Sequence, residues 1–216
     1  MDNIKYNEDY KIFDSLLSNT NPFAKGWVRM FIHKNPDYLG APVVEGNNLI
    51  VANGREFTAQ KIFNLPSTAN DWTNYNISGF GIGQGGATIN GGVPVINDPT
   101  LDDIGLNNPI FLNSSFNTEN SSTTEGVIKP ITTDGSIELL DGEYSTTPYY
   151  SKVKCSCVID SGEPTNLGVG ESIQISEAGL YFINSSGTNK LFSHICFAPK
   201  WKEVDSMITI EWYIIC

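Results

Sequence analysis

Basic residues are scarce in this chain. Of 216 residues, 13 are Lys or Arg against 24 Asp or Glu, a net charge of −11. Nucleic-acid binding needs a basic face to neutralise phosphates, so no direct nucleic-acid partner is expected. An anionic membrane surface is disfavoured for the same reason. No apolar run approaches the ~18 residues of a membrane helix. The opening MDNIKYNEDYKIF is acidic and lacks an apolar h-region, so no secretory leader is expected, and the chain is expected to fold in a cytoplasm. There are only two histidines. Four cysteines are too few to form a disulfide framework in a chain this long. Asn-x-Ser triplets at Asn76, Asn113, Asn120 and Asn184 are read as ordinary polar loops.

Charged residues make up only 17% of the chain. Asn, Ser, Thr and Gly fill the balance, a composition that favours turns and strands over long helices. The clearest pattern lies at Leu191–Cys216, read as a terminal hairpin. In its second strand Ile208, Ile210, Trp212, Ile214 and Cys216 share one face, the period-2 signature of a half-buried strand. That strand is either sealed inside a sheet or left as an edge for another subunit.

Other strands are expected at 26–33, 48–52, 127–131, 136–140, 149–160, 171–176, 180–184 and 191–197, the last two pairing with each other. One internal helix is expected from Asn53, as cap, to about Phe63, with Glu56 completing a capping box. Residues 79–109 read as a long Gly-rich loop with one short strand at its start, and 113–125 as an Asn/Ser-rich loop. Residues 1–22 read as an N-terminal helix or docking arm. The expectation is one mainly β domain over 23–216, an antiparallel β-sandwich.

Candidate chemistry is thin. Gly81, Gly83 and Gly86 satisfy G-x-G-x-x-G, but the following ATINGGVP opens no helix, so a close-packed glycine segment is expected rather than a dinucleotide loop. Cys155-x-Cys157 and His194-x-Cys196 offer four zinc ligands in principle. In a strand, however, both cysteines share a face with Val153 and Ile159, and His194 and Cys196 line up with Phe192, so both pairs read as core lining. His33 reads as a satisfied strand residue. Asp98, Asp102 and Asp103 lack calcium-loop spacing and read as solvated loop acids. Trp72, Tyr75, Tyr149 and Tyr150 suit either sugar stacking or a core. No catalytic, cofactor-binding or metal residue is assigned.

Several short motifs follow one another in a suggestive order. They are Gly26-Trp27-Val28-Arg29, Asn48-Leu49-Ile50-Val51, Asn53-Gly54-Arg55-Glu56, Phe80-Gly81-Ile82-Gly83-Gln84-Gly85-Gly86-Ala87, Ser176-Glu177-Ala178-Gly179-Leu180 and Leu191-Phe192. Phe197, Pro199, Lys200 and Ile210-Glu211-Trp212 end the series. This order resembles small structural proteins of tailed-bacteriophage virions, in the neck, tail and capsid-accessory group. The resemblance implies no enzyme activity and no cofactor. It implies other virion proteins and copies of the same chain as partners, and the virion as destination after synthesis in the host cytoplasm. A carbohydrate-binding or adhesin-like β-sandwich is the competing expectation.

Overall fold

The computed structural model describes residues 25–63, 72–116, 126–140, 152–184 and 188–215. The expected N-terminal helix or arm, and most of the 113–125 loop, lie outside these residues.

The protein is mainly β. In chain order the elements are β1 (Lys25–His33), β2 (Val44–Ile50), α1 (Ala52–Phe63), β3 (Tyr75–Gly83), β4 (Ala87–Asn90), β5 (Val93–Ile96), β6 (Lys129–Pro130), α2 (Ile131–Asp134), β7 (Gly135–Leu140), β8 (Lys152–Ile159), β9 (Ser172–Asn184), β10 (Asn189–Glu203) and β11 (Met207–Ile215). Nine strands form one antiparallel sheet in the order β6-β3-β9-β10-β2-β1-β11-β8-β7, and β4 and β5 form a separate ribbon.

This sheet replaces the two separate layers of the expected sandwich. β3 and β11 stand five steps apart in strand order, about 24 Å in a flat sheet. Yet the Phe80 and Trp212 rings lie with centroids 6.0 Å apart. The sheet is therefore strongly curled, a half-barrel whose concave face meets itself. The bend falls at β2. Its first part, Val44 to Asn48, pairs with β1, whereas Leu49 and Ile50 pair with His194 and Ser193 of β10. Asn48 marks the changeover, its side-chain amide donating to the Ser193 hydroxyl, which in turn reaches the Leu49 carbonyl at 2.8 Å.

The concave face is the core. Val28 and Met30 of β1, Cys155, Cys157 and Ile159 of β8, and Ile208, Ile210 and Trp212 of β11 are all fully buried there, as their alternation predicts. The other half contributes Phe80, Ile82, Ala178, Leu180 and Phe182. An aromatic group under α1 closes one end. Phe57 stacks on Phe182 at 5.1 Å, and Trp72 meets Phe182 edge-on at 4.8 Å. Trp72 has no exposed surface.

Several expectations need correction. The last two strands are not a hairpin. β10 pairs with β9 and β2, and β11 lies between β1 and β8, so the final strand is sealed in the sheet and not an edge. The 79–109 stretch holds more than the one short strand expected at its start, where β3 runs to Gly83, since β4 and β5 follow. Their turn, Gly91-Gly92, has φ of 58° and 82°, the left-handed pair a tight hairpin of matching twist requires. The segments 171–176 and 180–184 are one continuous strand, β9. The helix begins one residue before Asn53, and the Val51 carbonyl accepts the first helical bond from Arg55 N–H, so Asn53 is inside the helix and not its cap.

Candidate functional site

The convex face of β3, β9 and β10 carries the densest polar arrangement among the described residues. On β3 the outward positions are Gly79, Gly81 and Gly83, paired with Tyr181, Gly179 and Glu177 of β9. On β10, His194 and Cys196 stand opposite Gly179 and Glu177. Leaving the glycines bare makes a channel, which the segment around Leu106–Asn108 fills. A Cβ on Gly83 would collide with the Glu177 carboxylate and the Asn108 carbonyl, and one on Gly85 with Asn107. The glycine pattern therefore serves close backbone approach, as the sequence suggested. The dinucleotide fingerprint is contradicted by its setting, because β3 is antiparallel to both neighbours and leads into a hairpin, not a helix.

Glu177 is fully buried beneath this segment. Its Oε1 accepts the N–H of Gly85 at 2.8 Å and of Asn108 at 2.9 Å. Its Oε2 accepts the N–H of Asn107 at 3.0 Å and faces His194 Nε2 at 3.1 Å. Burial alone would push this carboxyl up, but the bonds from His194, Asn108, Asn107 and Gly85 outweigh it and hold it below the usual carboxylate range. His194 is also fully buried, with Nδ1 2.7 Å from Asp103 Oδ2. Cys196 Sγ lies 3.5 Å from Nε2. Burial would lower the imidazole pKa, yet its bonds to Cys196, Glu177 and Asp103 raise it to about 10. Asp103 is held below the carboxylate range despite partial burial, by bonds from Thr100 and His194.

Two sequence readings are overturned here. Asp103 is not a solvated loop acid; it is anchored to Thr100 and His194, whereas Asp98 and Asp102 are exposed. His194 and Cys196 do not line the core with Phe192. A β-bulge between Leu191 and Ser193 inserts one residue, so Phe192 and Ile195 face the core while His194 and Cys196 turn to the convex face. Cys155 and Cys157 remain core residues on β8, in the other half of the sheet, so the four-ligand set is never assembled. Burial pushes the Cys155 thiol up to about 12, which leaves it unreactive. His33 behaves as expected, with Nδ1 2.9 Å from the Asn35 carbonyl and Nε2 2.8 Å from the Thr209 hydroxyl.

The order Cys196–His194–Asp103 has the outline of a thiol nucleophile with its base and orienting acid. The general-base role needs Nε2 directed at the thiol. Here the Glu177 carboxylate is both nearer to Nε2 and the better acceptor. As it stands the arrangement holds an imidazolium between two carboxylates.

Two further features lie on the surface. The β4–β5 ribbon exposes Ile89, Val93, Val95 and Ile96, with Leu101 and Ile104 also exposed nearby in sequence. A shallow cavity of about 380 Å³ is lined by Ile32, His33, Lys34, Ser172, Trp201, Glu203 and Ser206. Its Trp201 is 60% exposed. No described helix is long and apolar enough to cross a membrane. Compared with known proteins the chain stands apart: no family model, no curated protein and no solved structure matches it.

Proposed function

We propose that this protein is a non-enzymatic structural component of a tailed-bacteriophage virion. It assembles in multiple copies, through contacts with its own copies and other virion proteins, at the neck, tail or capsid surface. The observation that carries the reading is the β4–β5 ribbon. Ile89 and Ile96 lie on one face, Val93 and Val95 on the other, and all four are exposed. A two-stranded ribbon is marginal in water by itself, and apolar side chains on both faces give a neighbouring subunit two surfaces to cover. The net charge of −11 favours protein over nucleic-acid contacts. The ordered motifs that resemble virion proteins support the same conclusion.

Mass spectrometry of purified virions tests it. The polypeptide is expected at a fixed copy number per particle, and its absence from the particle sinks the proposal.

A second reading, attachment to a host glycan, now rests on Trp201. Trp72 is buried and has no face to offer a sugar, and Tyr149 and Tyr150 lie outside the described residues. Trp201 presents an open ring in the wall of a cavity that also offers the polar side chains of Lys34, Ser172 and Glu203, a setting that suits stacking on a sugar. On this reading a glycan array gives hits that Trp201→Ala removes. An array with no hits rules it out.

A further inference from the structure

We propose that Glu177, His194 and Cys196 form a binding site for one divalent transition metal, with zinc the best chemical match and Asp103 as the residue that positions the histidine. The ligand atoms stand near coordination spacing, with the Nε2–Oε2 pair slightly tighter than a bound ion would hold it. Donors around a tetrahedral zinc, at ~2.0 to 2.3 Å from the ion, lie roughly 3.3 to 3.6 Å from each other. His194 Nε2 is 3.1 Å from Glu177 Oε2 and 3.5 Å from Cys196 Sγ, and all three donors fall within 4.8 Å of one another. An N, O, S set of this kind suits zinc and its borderline neighbours, not calcium or magnesium, which take oxygen alone.

The surroundings are those of a built site. Asp103 accepts from Nδ1 at 2.7 Å, which fixes the ring and turns Nε2 inward, the arrangement that orients metal-bound histidines. Glu177 is held by backbone N–H groups on both oxygens, so its carboxylate is preset before any ion arrives. Three protein ligands leave a fourth position, and the partly exposed Cys196 marks the side from which an ion and a water enter. Binding exchanges protons for the ion, with the Nε2 proton and the thiol proton leaving as Zn²⁺ enters. The alternative is a closed network of hydrogen bonds and ion pairs, in which Cys196 adds only its contact with Nε2.

The test uses the full chain, purified, stripped with a chelator and titrated with Co²⁺ alone. One equivalent is expected to bind, with the visible bands of a tetrahedral ion and a thiolate-to-cobalt charge-transfer band, and Zn²⁺ is expected to displace it. Cys196→Ser, a near-isosteric change at a partly exposed position, is expected to fold by circular dichroism and lose the charge-transfer band. Asp103→Asn is expected to weaken affinity about 10- to 100-fold. Absence of stoichiometric binding by the wild type overturns the site. So does an unchanged charge-transfer band in Cys196→Ser, which would place the metal on another thiol. Equal affinity in Asp103→Asn overturns the positioning role. The outcome is independent of whether the protein is found in virions.

Discussion

Lys129 has no exposed surface, and its ammonium lies 2.9 Å from both Asp160 and Glu163. These bonds tie the short strand β6 to the loop after β8. Glu163 is nearly as buried, so removing the lysine leaves its carboxylate without its direct ion-pair partner. Lys129→Ala is expected to cost about 3–5 kcal/mol, read from the midpoint of a denaturant titration. Lys202 is a different case. Its Nζ donates to the Ser206 carbonyl at 2.6 Å. Burial lowers its pKa from 10.5 to about 8, against the opposing pull of Glu163, Asp160 and Asp205. A lysine whose folded pKa is depressed penalises the fold while it is charged. That penalty is complete below about pH 8 and fades as pH rises towards 10.5. Wild type should therefore gain stability relative to Lys202→Met across that window, seen as a rise of its thermal midpoint relative to the variant's. A constant gap between the two would refute the assignment. Neither lysine was legible in the sequence, because nothing local distinguishes a buried cation from a surface one. The same holds for His194 and Asp103, which are 91 positions apart. The bulge at Phe192 hid the pair further, since alternation counted across an inserted residue assigns the wrong face.

The element that sequence reading served least well is β3. Its outward glycines depress strand propensity, so a strand that ends in Gly-rich sequence reads as loop. The structure shows why the glycines are there, and the two kinds of glycine separate cleanly. Gly83→Ala drives a methyl into Glu177 and Asn108 and is expected to cost about 1–3 kcal/mol. Gly46→Ala on β2 meets nothing within 4 Å and is expected to stay within about 0.5 kcal/mol of wild type. Thermal denaturation of both variants checks the contrast. The β4–β5 ribbon allows the opposite experiment. Val93→Ser with Val95→Ser alters only exposed side chains, so the melting curve should be unchanged while self-association or co-assembly, followed by sedimentation, weakens. By contrast β8 and β11 were legible almost residue by residue. Both are flanked by neighbours and half-face a core, so burial imposes the strict alternation that a sequence displays.

At the scale of the molecule, the sequence showed a mainly β, antiparallel chain but not how its strands close. Strand order is decided by long-range pairing, and a strand that divides its partners between two neighbours, as β2 does, carries no local mark of it. The strongest dependence is on β11, which holds β1 to β8 along its full length. A chain ending before Met207 loses Ile208, Ile210 and Trp212 from the core and leaves β1 and β8 each with one open edge, paired only to β2 and β7. It is expected to show no cooperative melting transition by circular dichroism. The same position of β11 sets the timing of the protein's life. While residues 207–215 are still within the ribosome, β1 and β8 have no neighbour in common and both offer open hydrogen-bonding edges. The chain can complete its native sheet only after synthesis has passed that point. The strand made last among those described is thus the checkpoint between a nascent chain and the closed sheet.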